Sequence, residues 1–469
     1  MTVTPLGRTA PLPATPARSA ATRDDHAAAV VRTAARPLSA LLLGYPLWWA
    51  LGVQIPLWPV AALPLLAWML VNRRQVALPP GYGVLLLLLG WMVVSGLMLS
   101  SARYAAAYSL RLTLYVSVAV MGVFVWNALH RGLERQRVLN WLLLVWGVAV
   151  VLALPGLFVA PLEFTSPFGA ALRAVGINDP YITALTRPRL IEFDALYQTA
   201  RPSALFPYTN DWGAAMGILT PVAVHGVVTA RTTRRRVGLG LLLALSAAPI
   251  LVSVNRGAWV SIGVAVAYVL VLRLLSGRPR VLLGVLAGAG VVLALVVSLP
   301  GLRDLLTNRF ENSNVSTRET LYQASWGLAL RSPVFGWGSP QSSEGLADSN
   351  NVSIGTHGQL WTTLVSQGIV GAALLLATVA AIWWHSRPAR TTSPDLWLHA
   401  TGVVLVVQTA FYDILPVPLA TALFALAVCA AGRRTAAPAG PAPARTIPDL
   451  PDAGRPHRAA RRPERTPAR

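Results

Sequence analysis

The sequence has no lysine, a single cysteine and few charges of any kind. Its 469 residues are 54% hydrophobic and 12% charged, with a mean hydropathy of +0.55. A soluble domain carries about 25% charged residues, so this chain lacks the material for a soluble surface. The lone Cys429 excludes an intrachain disulfide framework and any cysteine-based metal cluster. With lysine absent, all 39 basic residues are arginine, and against 18 acids they leave a net charge of +21. A basic excess can mark a nucleic-acid-binding protein, but that function needs a soluble fold to present the charge. Here long uncharged runs interrupt it. Soluble enzyme, nucleic-acid binder and secreted disulfide domain are thereby excluded, and a polytopic membrane protein remains.

Twelve apolar runs are long enough to be transmembrane helix candidates. They lie near 38–53, 55–71, 82–100, 112–129, 138–159, 212–230, 237–254, 257–275, 281–299, 359–384, 396–412 and 415–432. The expected fold is all-α, a polytopic transmembrane helical bundle of about 12 spans over residues 38–432. Pro46, Pro56, Pro59 and Pro64 interrupt the first two runs, which are expected to be tilted or broken helices. No small-residue cleavage site follows the first run, so it does not read as a cleaved signal peptide. Residues 1–37 and 433–469 are rich in Ala, Pro, Thr and Arg without periodicity, and both read as disordered tails.

Arginine placement fixes the orientation. With both tails in the cytoplasm, 28 of the 39 arginines fall inside and 11 outside, while seven acids fall inside and 11 outside. The inner side carries the whole +21 and the outer side balances to zero. Two outer loops are long, about 160–210 and 300–356, and the second is expected to hold short helices between spans nine and ten. Chemistry is therefore expected on the outer face of the cytoplasmic membrane of a bacterium, whose high-GC genome the all-arginine, alanine-rich composition suggests.

Of seven histidines only His357 faces outward, where the second long loop enters the span starting near residue 359. A histidine can accept a proton near neutral pH, although a lone interfacial histidine usually only hydrogen-bonds locally. Arg256 sits between two apolar spans joined by almost no loop, a costly place for an arginine without a partner. Ser316 followed by Glu319 fits a capping box, which places Arg318 beside a helix N-terminus suited to phosphate. Arg201 opens a segment just before the 212–230 span. Snorkelling, a solvated capped helix and an interface anchor are the ordinary readings of these three. Together they suit a lipid-linked pyrophosphate leaving group, because guanidinium binds phosphate bidentately. The outer carboxylates are scattered, so neither a metal nor another cofactor is expected.

Four segments in one chain order resemble the O-antigen ligase and polymerase superfamily of bacterial surface-glycan enzymes. They are R-P-S-A-L-F-P-Y-T-N-D at 201–211, S-V-N-R-G-A-W-V-S at 253–261, the R-E-T-L-Y run to F-G-W-G at 318–338, and H-G-Q-L-W-T-T-L-V-S-Q-G-I-V-G at 357–371. The resemblance implies an inverting glycosyltransferase, a ligase or a polymerase, that needs no metal. It implies His357 as catalytic base, with Arg201, Arg256, Arg318 and Asn210 binding substrate. The donor it implies is a glycan on undecaprenyl pyrophosphate, the acceptor a glycan or lipid-glycan, and the surroundings the lipid bilayer. Two departures stand out. The family often has Asn directly after the histidine, where this chain has Gly358, and Gln359 or Asn350 and Asn351 could take over its orienting role. Asp211 stands where the family usually has an apolar residue. The competing class is a transporter or flippase for lipid-linked sugars, but the mid-span regions hold almost no charge and no internal repeat is visible.

Overall fold

The computed structural model describes residues 28–155, 163–194, 199–298, 315–344 and 353–436, with positions 301, 303, 304 and 307 between them. Both expected tails lie largely outside the described residues, as do Asn350 and Asn351. Among those described, each of the twelve apolar runs forms helix. A first helical stretch at 28–34 precedes α1 (Arg36–Leu43), so helix begins inside the segment read as the N-terminal tail. The chain continues through α2 (Tyr45–Leu51), α3 (Leu57–Val71), α4 (Tyr82–Ser95), α5 (Ala102–Leu129) and α6 (Arg135–Ala153). Two short helices follow, α7 (Pro167–Ala174) and α8 (Pro180–Leu185), and then strands β1 (Ile191–Asp194) and β2 (Thr199–Pro202). The remainder is helical: α9 (Thr209–Val228), α10 (Thr233–Val252), α11 (Arg256–Leu275), α12 (Val281–Ser298), α13 (Val315–Arg331), α14 (Gln359–His385), α15 (Leu396–Thr409) and α16 (Val417–Ala436).

Six helices, α5, α6, α10, α11, α12 and α14, are long and apolar enough to cross a membrane. Four more apolar helices are shorter. The chain is thus a helical, multi-pass membrane protein. The proline-rich first pair departs from plain spans in the expected manner. Pro46 lies in the first turn of α2, where its missing N–H costs nothing, and the chain breaks at Gly44 between α1 and α2. Pro64 sits inside α3. The antiparallel β1–β2 hairpin is the exception to an all-α fold. In β1, Ile191 is buried while Phe193 is exposed.

The bundle has an inside and a lipid face. Trp58, Trp146, Trp212 and Phe124 are fully buried in one continuous core. Helix α12, by contrast, buries none of its residues. In lipid this costs little, because acyl chains are as apolar as leucine. At the end of the bundle carrying the arginine-rich loops, the Asp395 carboxylate joins Arg135 at 2.8 Å and His225 Nε2 at 3.1 Å, tying α6, α9 and the start of α15 together.

Helix α14 is interrupted at Gly368, whose φ of 71° and ψ of −172° are not helical. A break leaves backbone groups unpaired, and at membrane depth they must be satisfied within the protein. The 333–338 turn does this. The N–H groups of Trp337 and Gly338 donate to the carbonyls of Val365 and Ser366 at 2.9 and 2.8 Å, and Ile369 N–H donates to the Pro333 carbonyl at 2.7 Å. The Trp91 indole of α4 takes the Gln367 carbonyl at 2.9 Å. The F-G-W-G segment therefore splices α13 onto the middle of α14.

Candidate functional site

Helix α13 reaches back from that splice along the outer loop. Its Tyr322 ring stacks on Trp361 of α14, with centroids 4.4 Å apart and planes 15° from parallel. The Tyr322 hydroxyl donates to the His357 carbonyl at 3.4 Å. Arg318 lies one helical turn before Tyr322, on the same face of α13. The helix begins at Val315, so Ser316 lies inside it and not ahead of it as the capping-box spacing implies. An Arg318 at the N-terminal end of this helix is nonetheless what the spacing predicts.

His357 lies in a bend three residues after an isolated bridge to the other side of its loop. Gln341 and Ile354 exchange backbone hydrogen bonds of 3.2 and 2.9 Å. The next residue, Gly358, is the N-cap of α14 and has a φ of 126°. A Cβ added there would meet the Ala410 carbonyl oxygen at 2.6 Å and its carbon at 2.8 Å. This accounts for the departure noted in the sequence: asparagine does not fit after the histidine, because the backbone of the 409–412 turn occupies its place. The same turn receives the start of α14, with the Gln359 main-chain N–H donating to the Tyr412 carbonyl at 2.7 Å.

Burial and the neighbouring Arg318 charge both hold the His357 imidazole below its ordinary pKa. The ring is therefore neutral at pH 7. Its Nδ1 is buried with no hydrogen-bond partner. An imidazole in this state is chemically able to accept a proton.

The arginine segments meet on the other side of Tyr412. Asn255 is the N-cap of α11, accepting the Ala258 N–H at 3.3 Å, as expected of Asn before a helix. Its amide donates to the Thr209 carbonyl at 3.1 Å and lies 3.5 Å from Asn210 Oδ1. The buried Tyr412 hydroxyl donates to Asn255 Oδ1. Arg201, buried in β2, donates through Nε to the Ser253 carbonyl at 2.8 Å. Its cross-strand partner in the hairpin register is Glu192, and the Glu192 carboxylate accepts the Thr209 N–H at the start of α9 at 2.7 Å. Arg256 occupies the first turn of α11 and is exposed.

The four motif segments thus converge. Arg201, Asn210 and Arg256 are gathered around Asn255, while Arg318 and His357 are gathered around Tyr322. Tyr412 joins the two groups by side chain on one flank and by main chain on the other. Both Arg201 and Arg318 act electrostatically on its phenol, whose pKa burial nonetheless raises, so it remains a proton donor at neutral pH. Asn255 was visible in the sequence as a residue preceding a helical run. Tyr412, Tyr322 and Glu192 carried no such signal.

Residues 240–376 match the family model described as O-antigen ligase. That segment contains Arg256, Arg318 and His357, whereas Arg201 and Asn210 precede it. No curated protein matches the chain.

Proposed function

We propose, from the O-antigen ligase domain that this chain carries at residues 240–376, that it transfers or polymerises glycans held on undecaprenyl pyrophosphate. The observation that carries this reading is geometric: Tyr322, one turn after Arg318, bonds the His357 carbonyl, and Tyr412 links this group to Asn255 and the Arg201 and Arg256 segments. His357 takes the proton of an acceptor hydroxyl. The freed oxygen attacks the anomeric carbon of the donor, the bond from that carbon to the phosphate oxygen breaks, and the pyrophosphate leaves with the electron pair. Attack opposite the leaving group inverts the anomeric centre. Arg318, Arg201 and Arg256 meet the charge that develops on the pyrophosphate, the preorganised electrostatic role that supplies much of a transferase's rate. Asn210, held near Asn255, lies beside the Arg201 and Arg256 segments and contacts the donor. The arginine distribution puts these groups at the outer face and both termini in the cytoplasm.

Deleting the gene and analysing surface and lipid-linked glycans tests the reading. Full-length glycan stalled on undecaprenyl pyrophosphate identifies a ligase. Single repeat units on the normal acceptor identify a polymerase. Unprocessed donor trapped on the cytoplasmic side overturns the proposal in favour of a flippase, and an unchanged glycan profile overturns it outright.

The electrostatics supply a second, sharper test. A base works only when unprotonated, so transfer falls as pH drops through the His357 pKa. Because that pKa is depressed, the acid limb of the pH–rate profile is expected below the ordinary histidine value. Removing the Arg318 charge by Arg318→Gln takes away one of the two causes, so the limb moves up in pH. Arg318→Lys keeps the charge and loses the planar fork, so the limb stays in place while the rate falls. A limb unmoved in Arg318→Gln removes Arg318 from the surroundings of the base.

A further inference from the structure

A second polar site lies at the far end of the helix that His357 introduces. The 27 residues of α14 rise roughly 40 Å, from the outer cluster to His385. There the ends of α5, α14 and α16 and the turn before α4 enclose a cavity of about 270 Å3. Its walls are divided. Trp126, Ile382, Leu423 and Leu426 form an apolar side, and His130, His385 and Arg433 form a polar, basic rim. The rim is built and not accidental. The Arg433 guanidinium donates to the His385 carbonyl. The His130 ring stacks on Trp126 with centroids 3.9 Å apart and contacts the Trp126 carbonyl through Nδ1 at 2.6 Å. The proposed glycan chemistry uses none of these residues, and among the described residues no acidic side chain lines the cavity.

We propose that this cavity binds the phosphate headgroup of an anionic phospholipid of the cytoplasmic leaflet. A basic rim above an apolar wall matches a phosphate carried on an acyl glycerol. Basic pockets between membrane helices on the cytoplasmic side recognise such headgroups through charge and hydrogen bonding. The volume is close to the lower end of the range for small-ligand pockets, roughly 300 Å3, which fits a headgroup and the first carbons of its chains. The location fits as well, because α16 leads directly into the arginine-rich C-terminal segment. A lipid seated here would wedge the inner ends of α5, α14 and α16 together, on the helix that presents the outer site.

Native mass spectrometry of the full-length protein, released from detergent with added phosphatidylglycerol or phosphatidylcholine, tests this. One phosphatidylglycerol is expected to be retained in preference to phosphatidylcholine. Arg433→Gln removes the strongest charge of the rim and should weaken retention about fivefold. Ala430→Phe fills the cavity from α16 without altering charge and should lower retention as well, which keeps the test decisive if Arg433→Gln fails to fold. Equal retention of the two lipids overturns the proposal, as does unchanged retention of phosphatidylglycerol in the variant that folds. Displacement of the bound lipid by millimolar inorganic phosphate would assign the site to free phosphate and overturn the lipid assignment.

Discussion

Replacing His357 by alanine is expected to abolish glycan transfer while leaving a folded, membrane-inserted protein. The two halves of this expectation have separate physical grounds. Activity should fall because a positioned general base contributes about 10²- to 10⁴-fold to rate, and no second histidine stands at this end of the described bundle. His130, His225, His385 and His399 all sit on helices or helix ends that the arginine distribution places at the cytoplasmic side. Folding should survive because the described bonds that fix this segment do not run through the imidazole. Its Nδ1 has no hydrogen-bond partner, and the bonds that fix this segment belong to the main chain: Tyr322 to the His357 carbonyl, Gln359 to the Tyr412 carbonyl, and Gln341 to Ile354. The measurement is product formation from lipid-linked donor by purified wild-type and variant protein, with monodispersity in detergent as the control. Wild-type turnover by a well-folded His357→Ala would remove the residue from catalysis. Loss of both activity and fold would show that the side chain is structural.

The helices were legible in the sequence because a membrane span is written in composition alone. A run of leucine, valine and alanine near 281–299 needs no partner to be recognised, and α12 duly lies there without burying a residue. His357 and Arg318 were legible for a related reason. Polar groups are few in this chain, so each one on the outer side stands out. Contacts between distant segments were not legible. Nothing in F-Y-D at 411–413 indicates that Tyr412 spans the gap between Asn255 and Gln359, because that role depends on where α15 ends relative to α11. The form of the short connection between α10 and α11 was not legible either: it is closed by Asn255, and Arg256 opens the first turn of α11 after it. Glu192, one of the scattered outer carboxylates, accepts the Thr209 N–H at the start of α9 from across the hairpin. In each case the missing information was a tertiary distance, not a residue identity.

The break in α14 leads to the other large expected effect, in a variant more than one helical turn from any proposed catalytic group. Gly368→Ala should destabilise the protein and suppress transfer together. The φ of 71° with ψ near −172° is a region that only glycine occupies at low cost, and forcing an L-residue into it costs about 1–3 kcal/mol. The added Cβ would also meet the carbonyl oxygens of Val334 and Pro333 at 2.5 and 2.6 Å. These are backbone atoms of the splicing turn and cannot rotate away, so overpacking adds a further 1–3 kcal/mol or so. The sum is a large share of the roughly 5–15 kcal/mol that holds a domain folded. Straightening α14 would relieve the strain, but only by giving up the bonds from Trp337, Gly338 and Ile369 that anchor α13. Arg318 and Tyr322 ride on α13, so a released anchor carries the arginine away from His357. Thermal unfolding monitored by size-exclusion chromatography should therefore show a lowered midpoint for Gly368→Ala. Gly263→Ala, on a helical stretch of α11 where an added methyl meets nothing within 4 Å, should match wild type. If Gly368→Ala keeps both the wild-type midpoint and the wild-type rate, the splice does not position the arginine, and the packing of α13 on α14, with the Tyr322–Trp361 stack and the Tyr322–His357 bond, holds it over His357.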